Sequence, residues 1–298
     1  MPLILLVSWV IATGESVWGQ SFKAESPQTS QNLVAFYPVF NNCKPSRDNG
    51  SGNRIPEDPL VPYIIAPRRT TILDAQPLLQ WNHVANATRY QVEVVELLGG
   101  GSQNRVWQTE TEVAQVRYGG PVLQSGKQYL LIVRAPETDR SSLEEEVSGI
   151  SFEVLNPDDA AHVQELAGAI AALNTTATEK ALLTTQLYVG YHLNAEAIAA
   201  LDALPDTDQT VTVHRLLGDL YDWTDLQLPA GWSYHAAARV AEPGTAQLAA
   251  VQARLGQLYA DFDEPAQARQ WWEAALETYQ TLGNTQRIAE IRALLSQL

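Results

Sequence analysis

The chain has 298 residues, with 34 acidic and 19 basic side chains and 45% hydrophobic residues. A formal charge of −15 argues against binding nucleic acid, because a phosphate backbone would be repelled over most of the surface, and the hydrophobic fraction excludes wholesale disorder. One cysteine, Cys43, excludes a disulfide framework, a CxxC redox pair and a thiolate-rich zinc site.

In chain order, residues 3–12 (LILLVSWVIA) are a short apolar run that ends in the small-residue site Val17-Trp18-Gly19. This layout predicts a signal peptide over 1–19 and an exported protein, periplasmic or extracellular. The run is too short to cross roughly 30 Å of hydrocarbon as a helix. Only the terminal amine precedes it, so a positive n-region is missing, and a buried strand or helix start is the competing reading. Residues 20–58 are rich in Ser, Gln, Asn, Gly and Pro around one aromatic cluster, Phe36-Tyr37-Pro38-Val39-Phe40, and read as a linker. Cys43 within it is an idle thiol or an intermolecular pairing site.

From 59 to 155 the pattern changes to period two. Leu78-x-x-Trp81 and Tyr90-x-Val92-x-Val94 put large residues on one face, with Gln91 and Glu93 between. Further strands are expected around Arg105–Thr109, Glu112–Tyr118, Leu131–Ala135 and Ile150–Val154, which suggests an antiparallel β-sandwich. Trp81 and Tyr90 are expected in its core, Trp107 is left open, Arg68-Arg69 reads as a solvated pair, and Glu144-Glu145-Glu146 as an acidic loop. The early Trp, the Tyr-x-Val-x-Val strand and the corner Leu123-x-x-Gly126-x-x-Tyr129 resemble a fibronectin type III domain over about 95 residues. The resemblance implies that Tyr129 hydrogen-bonds backbone a few residues upstream. Ser125 departs from the pattern, since such corners often carry Pro.

Asn156-Pro157-Asp158-Asp159 is a helix start. Beyond it the composition becomes Ala- and Leu-rich, and the chain resembles itself. Leu255-Gly256-x-x-Tyr259, Ala268, Trp272 and Ala275 recur as Leu217-Gly218-x-x-Tyr221, Ala230, Tyr234 and Ala237, with a degenerate copy at Tyr188, Ala197, Leu201 and Leu204. Small residues allow two helices to approach closely, and Tyr259 and Trp272 are expected to fill the gap to the next pair. The stretch Leu228-Pro229-Ala230-Gly231 reads as a turn that distorts the second helix of the middle copy. These spacings resemble the tetratricopeptide repeat (TPR) family, with repeats at about 178–210, 211–244 and 249–282 and a C-terminal capping helix. The resulting fold class is multidomain, β then α: a fibronectin III-like β-sandwich followed by an α-helical TPR solenoid over 158–298.

The TPR resemblance implies a groove lined by the first helix of each pair, here Gln186, Arg215, Asp219, Trp223, Gln257 and Asp261. Arg215 stands alone in the sequence, so a basic carboxylate clamp is not expected. The five His are scattered, Asp219, Asp222 and Asp225 lack calcium-loop spacing, and no GxSxG, GxGxxG or P-loop motif is present. No catalytic residue, cofactor or metal is assigned. The expected function is a non-enzymatic exported scaffold whose groove binds a partner peptide. Binding of a carbohydrate or envelope polymer through the sandwich is the alternative, and an unrecognised hydrolase the third. By segment, residues 1–58, 59–157 and 158–298 carry −1, −3 and −11. The acidity therefore favours neutral or basic protein partners over acidic ones.

Overall fold

The computed structural model describes residues 57–145 and 150–298, which belong to one compact unit. The expected signal peptide, nearly all of the expected linker, Cys43 and Glu146 lie outside the described residues.

Alternation with period two places nine strands of the described residues in two sheets. They are β1 (Ile64–Ala66), β2 (Thr70–Ile72), β3 (Leu78–Trp81), β4 (Tyr90–Leu97), β5 (Gln103–Thr111), β6 (Gln115–Arg117), β7 (Gln128–Ala135), β8 (Arg140–Ser141) and β9 (Phe152–Val154). One sheet has the order β1-β3-β6, the other β2-β9-β7-β4-β5, with β8 added to β7. All pairings are antiparallel except β2 with β9.

In the larger sheet Val92 lies opposite Val133 and Val94 opposite Leu131. Their side chains meet Ile64, Leu79 and Trp81 of the smaller sheet in one shared core. Trp81 and Tyr90 are buried edge to face at 5.4 Å, and the Tyr90 hydroxyl accepts from Val84 N at 3.0 Å. The Tyr129 hydroxyl accepts from Gln124 N at 2.9 Å, which is the upstream backbone bond expected of the corner.

Eight helices follow: α1 (Pro157–Ala171), α2 (Ala177–Gly190), α3 (Asn194–Asp202), α4 (Val211–Trp223), α5 (Gln227–Val240), α6 (Ala246–Asp261), α7 (Pro265–Thr281) and α8 (Thr285–Leu295). They pack chiefly as the consecutive pairs α2/α3, α4/α5 and α6/α7, with α8 against α7. The first helix of each pair carries its own N-cap: the side chains of Thr176, Thr210 and Thr245 each accept a backbone N–H three residues on, which satisfies a donor that has no partner inside the helix. The second helices α3, α5 and α7 follow Leu193, Leu226 and Glu264, none of which caps with its side chain.

The same tight turn precedes each second helix. Leu193, Leu226 and Glu264 donate their N–H to the carbonyls of Tyr188, Tyr221 and Tyr259 at 2.9, 2.8 and 2.9 Å. The residues before them, His192, Asp225 and Asp263, take the left-handed conformation, with φ of 58°, 63° and 60°. The repeated tyrosines thus mark one backbone event, the closing of the hairpin.

Within a pair the helices interlock through glycine. A Cβ on Gly218 would lie 2.4 Å from the Tyr234 ring, and one on Gly256 would lie 2.3 Å from the Trp272 ring. Trp272 also donates Nε1–H to Ala253 O at 3.2 Å. Trp272 therefore fills a hole inside its own pair, which corrects the expectation that it bridges to the next one. A second correction concerns Leu228-Pro229-Ala230-Gly231. It is the first turn of α5, where proline costs little because the N–H is unpaired there in any case.

Gly256→Ala and Gly218→Ala should each destabilise the fold by about 1–3 kcal/mol, as overpacking does. Gly168→Ala in α1, where nothing lies within 4 Å, should be neutral or stabilising. Urea unfolding followed by circular dichroism separates the two classes.

Candidate functional site

The six residues implied to line a groove lie on α2, α4 and α6, the first helices of three consecutive pairs. Gln186, Arg215, Trp223, Gln257 and Asp261 are half-buried. Gln257 donates to Asp261 at 2.8 Å, one turn along α6.

Asp219 is different, being only 2% exposed. Its carboxylate accepts from Arg215 at 2.6 Å and from the Tyr234 hydroxyl at 2.8 Å, and pairs with Arg254 Nε at 3.1 Å. It is a buried node that ties α4 to α5 and to α6 of the next pair. Two arginines and a hydroxyl compensate the cost of burying its charge, and burial next to that carboxylate pushes the Tyr234 hydroxyl well above its ordinary value. Arg215 thus does not stand alone, since Arg254 converges on the same acid. The Leu-Gly repeat gave no signal for this, because the middle repeat has Leu216 where the last has Arg254.

A second cluster, which sequence reasoning missed, joins the strands to the helix-pair turns. Arg68 is 1% exposed, contrary to its reading as a solvated side chain. Its Nε donates to Thr224 O at 2.8 Å and its Nη2 to Asp225 O at 3.3 Å, at the C-terminal end of α4. Its Nη1 donates to Ile64 O at 3.2 Å and pairs with Glu145. Glu145 also accepts from Ile64 N at 2.9 Å, so it too is buried structure and not part of a solvated acidic loop. Arg69 reaches the Asp225 carboxylate at 3.4 Å.

On the other side of the same turn, the Glu57 carboxylate accepts from the Gln227 N–H and, at 2.8 Å, from the Leu228 N–H. A cation thus meets the carbonyl end of α4 and an anion the amide end of α5, each matched to its helix dipole. Glu57 supplies the N-terminal cap that Leu226 lacks.

The preceding pair is held in the same way. Thr70 Oγ1 accepts from Asn194 N at 2.9 Å, capping α3 in place of Leu193. Thr71 N donates to His192 O at 2.9 Å, and Leu73 N to the Glu196 carboxylate at 2.6 Å. The outer edge of β2 is therefore bonded to the α2/α3 turn and to α3. Burial raises the pKa of Glu57 and Glu196 despite the bonds they accept, and burial also raises that of Asp202. The Tyr63 hydroxyl is pushed up to about 12 by burial and by the nearby Glu57 and Glu145.

Trp107, left open in the sequence, is half-buried and packs edge to face on Tyr118 at 5.0 Å. Among the described residues no group of three His, Cys, Asp or Glu side chains is placed to hold a metal ion. No described helix is long and apolar enough to cross a membrane.

No family model matches the chain, and no curated protein is significantly similar to it. Among solved structures, BtubC (BKLC) from P. vanneervenii is 23% identical over 45% of this chain and 56% of its own, with a TM-score of 0.31. MamA is 17% identical over 46% of this chain and 91% of its own, with a TM-score of 0.32. The match thus spans little more than half the length of BtubC, and at these scores neither likeness carries an argument about fold or function.

Two outcomes follow from the strand–helix junction. Arg68→Met should destabilise the whole described unit by about 3–5 kcal/mol, because it strands a buried Glu145 and two helix-terminal carbonyls. The circular dichroism and tryptophan-fluorescence transitions should remain coincident. Glu57, Glu196 and Asp202 bind their protons at higher pH when folded than when unfolded. Above their ordinary values the folded state therefore holds more protons at these three groups, and their contribution to stability rises as pH falls towards about 5. His214 and His235, whose pKa burial lowers, act in the opposite direction, so the carboxyl contribution is read as a difference: relative to the parent, Glu57→Gln should gain least at the acid end of thermal melts taken at a series of pH values.

Proposed function

We propose that this chain is a non-enzymatic, exported protein-interaction scaffold. In this reading α2–α7 form an array of the tetratricopeptide type, and β1–β9 a fibronectin III-like module that holds the array from one side. The partner is a protein segment laid across α2, α4 and α6.

The observation that carries the proposal is the repeated construction of the helix pairs. The same tyrosine-closed turn occurs inside all three pairs and again at Tyr279 between α7 and α8, and two pairs share the same glycine-to-ring interlock. Stacked pairs of this kind set their first helices side by side and offer a surface longer than any one pair. The strand order β1-β3-β6 against β2-β9-β7-β4-β5 and the Tyr129 bond support the module assignment.

In this proposal Gln186, Trp223, Gln257 and Asp261 meet the partner. Asp219 stays behind them and fixes Arg215, which accepts or repels the partner's charge. The balance of −11 over 158–298 favours a neutral or basic segment and a salt-sensitive complex.

The test is a pull-down from envelope extract with the full chain, comparing the parent with Trp223→Ala and Gln257→Ala after circular dichroism has shown both to be folded. A specific partner retained by the parent and reduced about tenfold by Trp223→Ala is expected, as for an aromatic anchor. A partner indifferent to both substitutions would remove the groove from the proposal.

A further inference from the structure

Half of the described Phe, Tyr and Trp side chains are buried, among them Trp81, Tyr90, Tyr234 and Trp272, and nearly all the others are half-buried. Trp232 on α5 is 64% exposed, more than any other described aromatic side chain. Its orientation follows from its neighbour. Gly231 is buried against α6, where an added Cβ would lie 3.1 Å from Leu258, so the next residue points away from that contact.

One turn further along α5, and so beside Trp232 on the helix surface, His235 leads into a row of rings. Its Nε2 is hydrogen-bonded to the Tyr259 hydroxyl of α6 at 3.0 Å. Its ring stands edge-on to Trp271 of α7 at 5.6 Å. Tyr259 in turn meets Phe262 at 6.3 Å and 90°. The ridge thus crosses three helices from two successive pairs. At Phe262 it runs into Asp263 and Glu264, both exposed.

A row of rings at His235, Trp271, Tyr259 and Phe262, with the exposed Trp232 one helical turn before its His235 end, has the composition of an interface hot spot. The charges at its two ends select its occupant: Arg239 lies towards the His235 end and the acids lie at the Phe262 end. The acids at the Phe262 end, within a helical half carrying −11, repel a second copy of this array and an anionic lipid surface. They attract a cation, which the ring faces also favour. We propose that this ridge docks a partner segment bearing an apolar side chain next to a lysine or arginine. The apolar group packs on Trp232 and Trp271, and the cation lies towards Phe262, Asp263 and Glu264. The inference rests on the scaffold reading above and gives it a second contact surface, away from the positions on α2 and α4.

Calorimetry of the full chain with three synthetic peptides tests it: alternating Leu and Lys, alternating Ala and Lys, and alternating Leu and Glu. Measurable affinity is expected only for the Leu/Lys peptide. Trp232→Ala should weaken it about tenfold, a loss of about 1.4 kcal/mol. Asp263→Asn with Glu264→Gln should weaken it severalfold and lower its salt dependence. Val122→Ala, an exposed apolar residue on the β side, should change nothing.

Equal binding of the Leu/Glu peptide, no binding of the Leu/Lys peptide, or a Trp232→Ala protein that binds like the parent would each overturn the ridge. If Trp223→Ala and Gln257→Ala abolish binding while Trp232→Ala does not, the ridge falls and the groove reading stands. Loss with Trp232→Ala alone supports the ridge as a surface separate from the groove.

Discussion

Arg68 and Glu57 straddle a single helix turn, and the placement of the strands on the helices depends on them. One guanidinium takes the carbonyls of Thr224 and Asp225 just past the end of α4, and one carboxylate takes the first amides of α5. The amide end of α5 has no side-chain cap of its own, because Leu226 carries no acceptor, whereas the last carbonyls inside α4 are met locally by Thr224 and Leu226. The β region therefore completes the helix pairs chemically as well as resting against them. Thr70 does the same for α3. The third turn, at Asp263, instead relies on Pro265, whose missing N–H leaves one fewer amide to satisfy.

This arrangement explains why Arg68 escaped sequence reasoning. A charged pair in a Pro-bounded stretch reads as solvated, because its partners are backbone carbonyls 156 and 157 residues away. No local periodicity encodes such a contact. Glu145 was misread for the same reason, since an acidic run gives no sign that one member faces inward. Features set by local rules were legible. The alternation of Tyr90, Val92 and Val94 located buried residues of the core, Asn156 located a helix start, and the Leu-Gly-x-x-Tyr spacing located the interlock and the turn. Trp272 was legible as large and apolar but not in direction, because its seat is a glycine on the partner helix.

The candidate surface divides along the same line. The positions on α2, α4 and α6 were reachable from the repeat spacing, but the burial of Asp219 depends on Arg254, which breaks the repeat. Trp232 was passed over because a single tryptophan in an Ala-rich helix resembles a core residue until Gly231 is seen facing α6. The charge also takes on a narrower meaning. Of the helical half's acids, Asp219 is neutralised internally and Glu196 is spent on the strand edge. The exposed pair Asp263 and Glu264 borders the aromatic ridge. That is where acidity bears on partner choice.

The strands and the helix pairs form one cooperative body, joined by caps that one half supplies to the other. Native-state hydrogen exchange tests it most directly, through the amides of Leu73, Asn194, Gln227 and Leu228. In one cooperative body they open with the same free energy as the amides of β4 and α6, at the level of global unfolding. Exchange of these four through a separate, lower-energy opening, with β4 and α6 still protected, would contradict it.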